Sequence, residues 1–119
     1  GCIKAFHLHL VQWDYWYCPI GVIKAVLVDC RKAHPIIREG GRIYPQTPIR
    51  DIDEYEEFLL GDNQPAQVLH IPPGIAHGLK VLQGPAHLFY VTSHVYNPND
   101  EGRIPFDALG YDWYKVEIK

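Results

Sequence analysis

The sequence has 119 residues, 47% of them hydrophobic and 21% charged, with a formal net charge of −3. That length sets one domain able to bury a real core, and the composition excludes bulk disorder. No apolar run reaches the ~20 residues of a membrane span, no basic-then-apolar leader is visible, and the acidic balance argues against a nucleic-acid binder.

Residues 2–10 alternate as a strand does, with Phe6, Leu8 and Leu10 on one face and Ala5, His7 and His9 on the other. Residues 13–18 are aromatic and strand-like, Pro19-Ile20-Gly21 reads as a turn, and 22–30 is the strongest strand of the chain. Pro35, Gly40-Gly41, Pro45 and Pro48 punctuate 31–51, which reads as a long loop. Residues 52–60 fit a short helix or a strand, because Tyr55, Phe58 and Leu60 do not settle the period. Residues 67–71 and 79–82 read as strands on either side of Pro72-Pro73-Gly74, and 87–96 as another. From 97 on the chain reads as loop, with a last strand drawn from 111–118. Short strands, many turns and almost no helix define an all-β sandwich or barrel.

Three cysteines, Cys2, Cys18 and Cys30, with no C-x-x-C pair read as reduced thiols of a cytoplasmic protein. Cys30 reads as a buried apolar filler. The absence of methionine points to an N-terminus that is trimmed or starts late. The acidic run 51–57 reads as a solvated surface, and Glu101 and Arg103 as a pair across a turn.

Two patterns carry chemistry. The first is Gly1-x5-His7-x-His9-x4-Asp14-x6-Gly21. Residues two apart on a strand point the same way, so His7 and His9 present paired imidazoles, and two imidazoles with a carboxylate form a transition-metal arrangement. The second is Pro72-x-Gly74-x2-His77, whose turn places His77 at the start of the following strand. His7, His9 and His77 are expected to share a cavity. His34, His70, His87 and His94 read as structural.

These two patterns resemble the two motifs of the cupin superfamily, with Asp14 where Glu is usual, Ala66 in place of the leading Gly of the second motif, and Val81 in place of its Asn. The resemblance implies a single-domain cupin jelly roll, a double-stranded β-helix barrel, over 1–119 with the ligand site inside. Within the superfamily the chain is most similar to the dTDP-4-dehydrorhamnose 3,5-epimerases. Ile3-Lys4-Ala5-Phe6-His7, Val26-Leu27-Val28-Asp29-Cys30-Arg31 and above all Ile71-Pro72-Pro73-Gly74-Ile75-Ala76-His77-Gly78 carry the similarity. It continues through Leu88-Phe89-Tyr90, Tyr96-Asn97-Pro98, Glu101-Gly102-Arg103-Ile104 and Leu109-Gly110-Tyr111-Asp112-Trp113.

The family inverts carbons flanking a ketone on a nucleotide-linked deoxysugar: a base removes the proton alpha to the carbonyl, and an acid returns one on the opposite face. The resemblance implies His7 as base, Tyr90 as acid, His77 as a second pocket histidine, Lys4 as the phosphate contact in place of an Arg, and Tyr96 as a packing residue. The family's Lys that supports the enolate falls on Asp14, and a Gln two residues after the base falls on His9. The exchange supplies the metal-binding set of the wider superfamily, His7, His9, Asp14 and His77. That set suits Zn, Ni, Fe or Cu better than Mg or Ca. In the rival arrangement no metal binds, and Asp14 hydrogen-bonds His7 or His9 instead.

The expected function is an epimerase or isomerase of a nucleotide-activated 4-keto-6-deoxysugar in glycan synthesis. The alternatives are a metal-dependent cupin acting on another small molecule and a non-catalytic sugar- or nucleotide-binding module. A homodimer is expected, because Phe6, Leu8 and Leu10 would face outward if His7 and His9 face in. Trp13, Tyr15, Trp16 and Tyr17 read either as a stacking platform or as packing.

Overall fold

A computed structural model describes residues 2–30, 36–39, 42–45, 55–95, 97, 100–104, 106 and 111–114, with the side chains of 36–39 and 42–45 left aside. Every strand pairing among the described residues is antiparallel. Eight strands follow in order: β1 (Ile3–Leu8), β2 (Asp14–Asp29), β3 (Ile36–Glu39), β4 (Arg42–Pro45), β5 (Tyr55–Gly61), β6 (Leu69–Ile71), β7 (Ile75–Thr92) and β8 (Gly102–Arg103). The main sheet runs β5-β2-β7-β1-β8 with β6 also on β2, and β3 pairs β4 separately.

Two long strands organise the fold. The expected strands 13–18 and 22–30 are one, β2, and the expected turn at Pro19-Ile20-Gly21 is a bulge inside it. The pairing with β7 shifts register between Tyr17 and Ile23. Gly21 sits there at φ 80°, where a Cβ would stand 2.5 Å from the Pro85 carbonyl oxygen. A bulge bends a strand without ending it. Likewise 79–82 and 87–92 belong to one strand, β7, which ends at Thr92; 93–95 are not strand, and Tyr96 lies outside the described residues.

The loop expected over 31–51 contains the β3–β4 pair, and 55–61 is a strand, which settles the helix-or-strand ambiguity for 55–60, while 52–54 lie outside the described residues. Its pairing partner is β2, from Val22↔Gly61 to Val28↔Tyr55. The tail expected as loop contributes β8. Residues 111–114 are not a strand, and the rest of the expected last strand lies outside the described residues.

Both faces of the central strands are buried. On one face Ile23, Ala25 and Leu27 join Trp16, Cys18, Leu60, Leu69, Ile71 and Ile75. On the other, Val26, Val28 and Cys30 join Phe6, Leu8, Ala76, Ile104, Tyr111 and Trp113. This second cluster corrects the outward apolar strip expected of β1. Phe6 and Leu8 are 1% and 0% exposed, because the C-terminal segment folds back over them and Trp113 packs its ring 5.5 Å from that of Phe6. Of that strip only Leu10 is exposed.

Lys24, on this covered face, is also buried, 5.1 Å over the Tyr111 ring and 3.6 Å from Glu57. Glu57 also accepts from the Tyr111 hydroxyl. Part of the acidic run is therefore the counter-charge of a buried lysine, while 51–54 lies outside the described residues. The three cysteines are free, Cys18 and Cys30 buried and Cys2 exposed. No helix among the described residues is long and apolar enough to cross a membrane.

Candidate active site

His7 stands on β1 opposite His77 on β7 in the backbone register. A glycine permits that approach: a Cβ on Gly78 would lie 2.5 Å from the Ala5 Cβ, so only a residue without one lets β1 close against β7 here. The Pro72-Pro73-Gly74 turn acts as the sequence suggests. Gly74 takes φ 85°, donates to the His9 carbonyl at 2.7 Å, and its own carbonyl accepts from the Cys30 N–H at 3.0 Å. The turn thus ties the histidine segment of β1 to the end of β2.

The result is a cavity of about 710 Å³. Its polar end holds His7, His9, Gln12, Asp14, His77 and Glu101, and Trp16, Ile23, Leu79, Val81 and Leu88 line its apolar wall. His7, His9 and His77 share this cavity, as expected. The His77 ring centroid lies 5.5 Å from that of His9 and 6.2 Å from that of His7, and Trp16 packs its edge against His77. Lys4 and Tyr90 also line the cavity, and both are exposed. Tyr96 lies outside the described residues.

Asp14 is the buried hub. Its Oδ2 lies 3.3 Å from His77 Nε2 and 4.0 Å from His9 Nε2, and its Oδ1 accepts from Gln12 Nε2 at 2.6 Å. Burial alone would push its carboxyl up, but hydrogen bonds from His77 and Gln12 and the nearby histidine charges outweigh burial and hold it below the ordinary value. Burial, followed by the neighbouring His77, pushes His7 below the ordinary histidine value, while Glu101 opposes that shift.

The consecutive acids Asp100 and Glu101 escaped a catalytic reading in the sequence. Asp100 is buried; its carboxylate accepts the N–H groups of Leu10, Val11 and Gln12, and its carbonyl accepts from His9 Nδ1 at 2.9 Å. Glu101 does meet Arg103, at 3.1 Å, and the same oxygen lies 3.7 Å from His7 Nδ1. β8 brings them there, since Phe6 and Ile104 exchange backbone hydrogen bonds of 2.7 and 2.9 Å. Only the pairing of β8 with β1, a long-range contact, reveals this placement.

His70, His87 and His94 are exposed, and none of them lines this cavity; His34 lies outside the described residues. Of the aromatic run, Trp16 alone reaches the cavity wall. Tyr15 packs against His70, and Trp13 and Tyr17 are exposed. Among the described residues the group with metal-ligand spacing is His9, Asp14 and His77, and His7 stands beside it. Two imidazoles and a carboxylate at that spacing fit a transition metal.

An antiparallel all-β fold with histidines and carboxylates gathered at one end of its cavity fits the cupin class, and the fold is a cupin jelly roll like that of the solved epimerase described below. A sequence profile described as dTDP-4-dehydrorhamnose 3,5-epimerase matches residues 50–119. The chain belongs to the dTDP-4-dehydrorhamnose 3,5-epimerase family. It is 36% identical over 118 residues to the spore coat polysaccharide biosynthesis protein SpsL of Bacillus subtilis, covering 95% of this chain and 68% of that one. It is 28% identical over 122 residues to a dTDP-4-dehydrorhamnose 3,5-epimerase of Mycobacterium tuberculosis, spanning 52% of that protein's length. A solved epimerase structure from Mycobacterium tuberculosis superposes with a TM-score of 0.70 at 28% identity, over 95% of this chain and 51% of that one.

Proposed function

We propose that residues 1–119 form one cupin domain that epimerises or isomerises a nucleotide-activated 4-keto-6-deoxysugar. Family membership supports the reaction class, and the observation that carries the site is His7 at the cavity's polar end, its Nδ1 side facing Glu101. Its lowered proton affinity leaves His7 a neutral base at pH 7. His7 takes the proton from the carbon beside the ketone. The electrons move onto the carbonyl oxygen as an enolate, and Tyr90 returns a proton to the opposite face of that carbon. His77, held by Asp14 at 3.3 Å, is the group at the cavity's polar end that faces the enolate charge. Lys4, at the cavity edge, meets the diphosphate as a point charge. His9 and Tyr96 contact the sugar or nucleotide.

The chain acts as a cytoplasmic homodimer in this reading. That proposal rests on the family resemblance, since the strip first expected to form the interface is covered. The link to glycan synthesis draws support from the printed name of the Bacillus subtilis relative.

The second reading, favoured by the His9, Asp14 and His77 cluster, adds one divalent Zn, Ni, Fe or Cu ion to the pocket. The four residues first expected to hold it are His7, His9, Asp14 and His77. When bound, such an ion polarises a carbonyl oxygen.

The test is incubation of the protein with a dTDP-4-keto-6-deoxysugar in deuterated water, followed by mass spectrometry. Deuterium gained beside the ketone supports the reading. Tight sugar binding with no exchange would leave a binding module.

A further inference from the structure

We infer that Asp100 is a positioning residue: its carboxylate fills a seat of backbone N–H groups in the loop between β1 and β2, and so sets where His9, Gln12 and Asp14 stand. Its effect on rate rests on the reaction proposed above; its effect on the His9 ring does not.

The loop from Leu10 to Trp13 joins His9 to Asp14 and belongs to no strand. Its N–H groups therefore need partners other than a strand ladder. Leu10 donates to Asp100 Oδ1 at 2.8 Å, and Val11 donates to Oδ1 at 3.0 Å and to Oδ2 at 3.3 Å. Gln12 donates to Oδ2 at 3.0 Å. Successive N–H groups that converge in this way make a concavity suited to an anion. A carboxylate accepts such bonds more strongly than a neutral oxygen does. The next N–H, that of Trp13, goes to Ser93 Oγ at 2.9 Å. Four successive N–H groups thus end on two side chains of the segment that follows β7.

The pinned loop has a residue of the cavity at each end. His9 precedes it. The His9 carbonyl accepts from Gly74 at 2.7 Å, and His9 Nδ1 meets the Asp100 carbonyl at 2.9 Å. A carbonyl only accepts, so Nδ1 carries the hydrogen and the ring is held in one orientation. Asp14 follows the loop, and Gln12, within it, donates to Asp14 Oδ1 at 2.6 Å. Asp14 in turn lies 3.3 Å from His77 Nε2. Asp100 itself is 6% exposed and does not line the cavity. It therefore acts through His9, and through Gln12, Asp14 and His77.

The test compares Asp100→Ala and Asp100→Asn in the full-length chain, with formate as the probe. Asp100→Ala deletes the carboxylate alone, and formate is that carboxylate as a free ion. Asp100→Asn keeps one acceptor oxygen but turns an NH₂ toward a loop N–H. Circular dichroism and thermal melting establish that each variant is folded. If Asp100→Ala does not fold, the His9 ring in Asp100→Asn decides.

The first readout is the ¹⁵N NMR of the histidine rings at pH 8. Wild-type His9 should be the Nδ1–H tautomer, and both variants should shift toward Nε2–H. The second is deuterium uptake into a dTDP-4-keto-6-deoxysugar, where kcat should fall about 10²-fold, as for a displacement of about 1 Å in a site. Formate, at constant ionic strength, should restore both signals in Asp100→Ala and change neither in wild type. Formamide, its neutral counterpart, should restore neither. A residue that only stabilises the fold gives no such anion-specific return. A His9 signal in folded Asp100→Ala equal to that of wild type overturns the inference, as does formate that restores no more than formamide. A wild type without deuterium uptake defeats the proposed reaction instead, and the His9 ring then decides for Asp100.

Discussion

His77 Nε2 lies 3.3 Å from Asp14 Oδ2, while the far nitrogen of the same ring donates to the Ile75 carbonyl. The ring therefore bridges a buried carboxylate and its own strand. Asp14→Ala removes the acceptor for both His77 and Gln12. Chelator-treated protein should lose about 1–3 kcal/mol on this substitution, read from urea unfolding at pH 7. Because the folded protein lowers the Asp14 proton affinity, that stability is present above the unfolded carboxyl value and is lost as pH falls through the folded one. The gap between wild type and Asp14→Ala should thus narrow below about pH 4. A gap that widens on acidification would contradict this account of Asp14.

Gly78 sets the distance between the strands that carry His7 and His77. Gly78→Ala places a methyl group where the Ala5 Cβ lies 2.5 Å away. Overpacking of this kind costs about 1–3 kcal/mol. Thermal melting should show the loss, and ligand binding should weaken with it, since β1 must move away from β7. A melting temperature equal to wild type would mean that β1 is not seated as described.

Trp113 closes the cluster on the opposite face of the same strands. It is 1% exposed, packs on Phe6 and donates from Nε1 to the Phe106 carbonyl at 2.9 Å. Trp113→Ala should cost about 3–5 kcal/mol. His7 adjoins Phe6, so the substitution should also disorder β1, visible as faster hydrogen exchange at its amides.

The thiols provide a pH test. Burial raises Cys18 above the ordinary thiol value and pushes Cys30 up to about 11, whereas Cys2 is exposed. At pH 8 only about one in a thousand Cys30 side chains is thiolate, on a titration with that value. Iodoacetamide should label Cys2 first, and Cys18 and Cys30 only on unfolding, as read by mass spectrometry of peptides. Rapid labelling of Cys30 in folded protein would contradict its burial.

The β class and the histidine pairing were legible because they are local. Alternation over Phe6-His7-Leu8-His9 puts two imidazoles on one face, and Pro-Pro-Gly announces the turn before His77. The long strands were not legible, because a bulge at Gly21 and a turn there carry the same glycine signal. Burial of Phe6 and Leu8 was missed because alternation marks two faces without saying whether both are covered. Trp113 covers them from the far end of the chain. Asp100 and Glu101 were missed for the same reason: nothing near them in sequence points to His9 or His7, and only the β1–β8 pairing does.

The central claim is that His7 abstracts a proton beside a sugar ketone. The most direct measurement compares deuterium uptake into a dTDP-4-keto-6-deoxysugar by wild type and His7→Ala across pH. The account predicts uptake by wild type that declines as His7 becomes protonated, at a pH below the ordinary histidine value, since burial and His77 lower its proton affinity. It also predicts a loss of about 10²- to 10⁴-fold in His7→Ala. No uptake by wild type, or equal uptake by the two proteins, would contradict it.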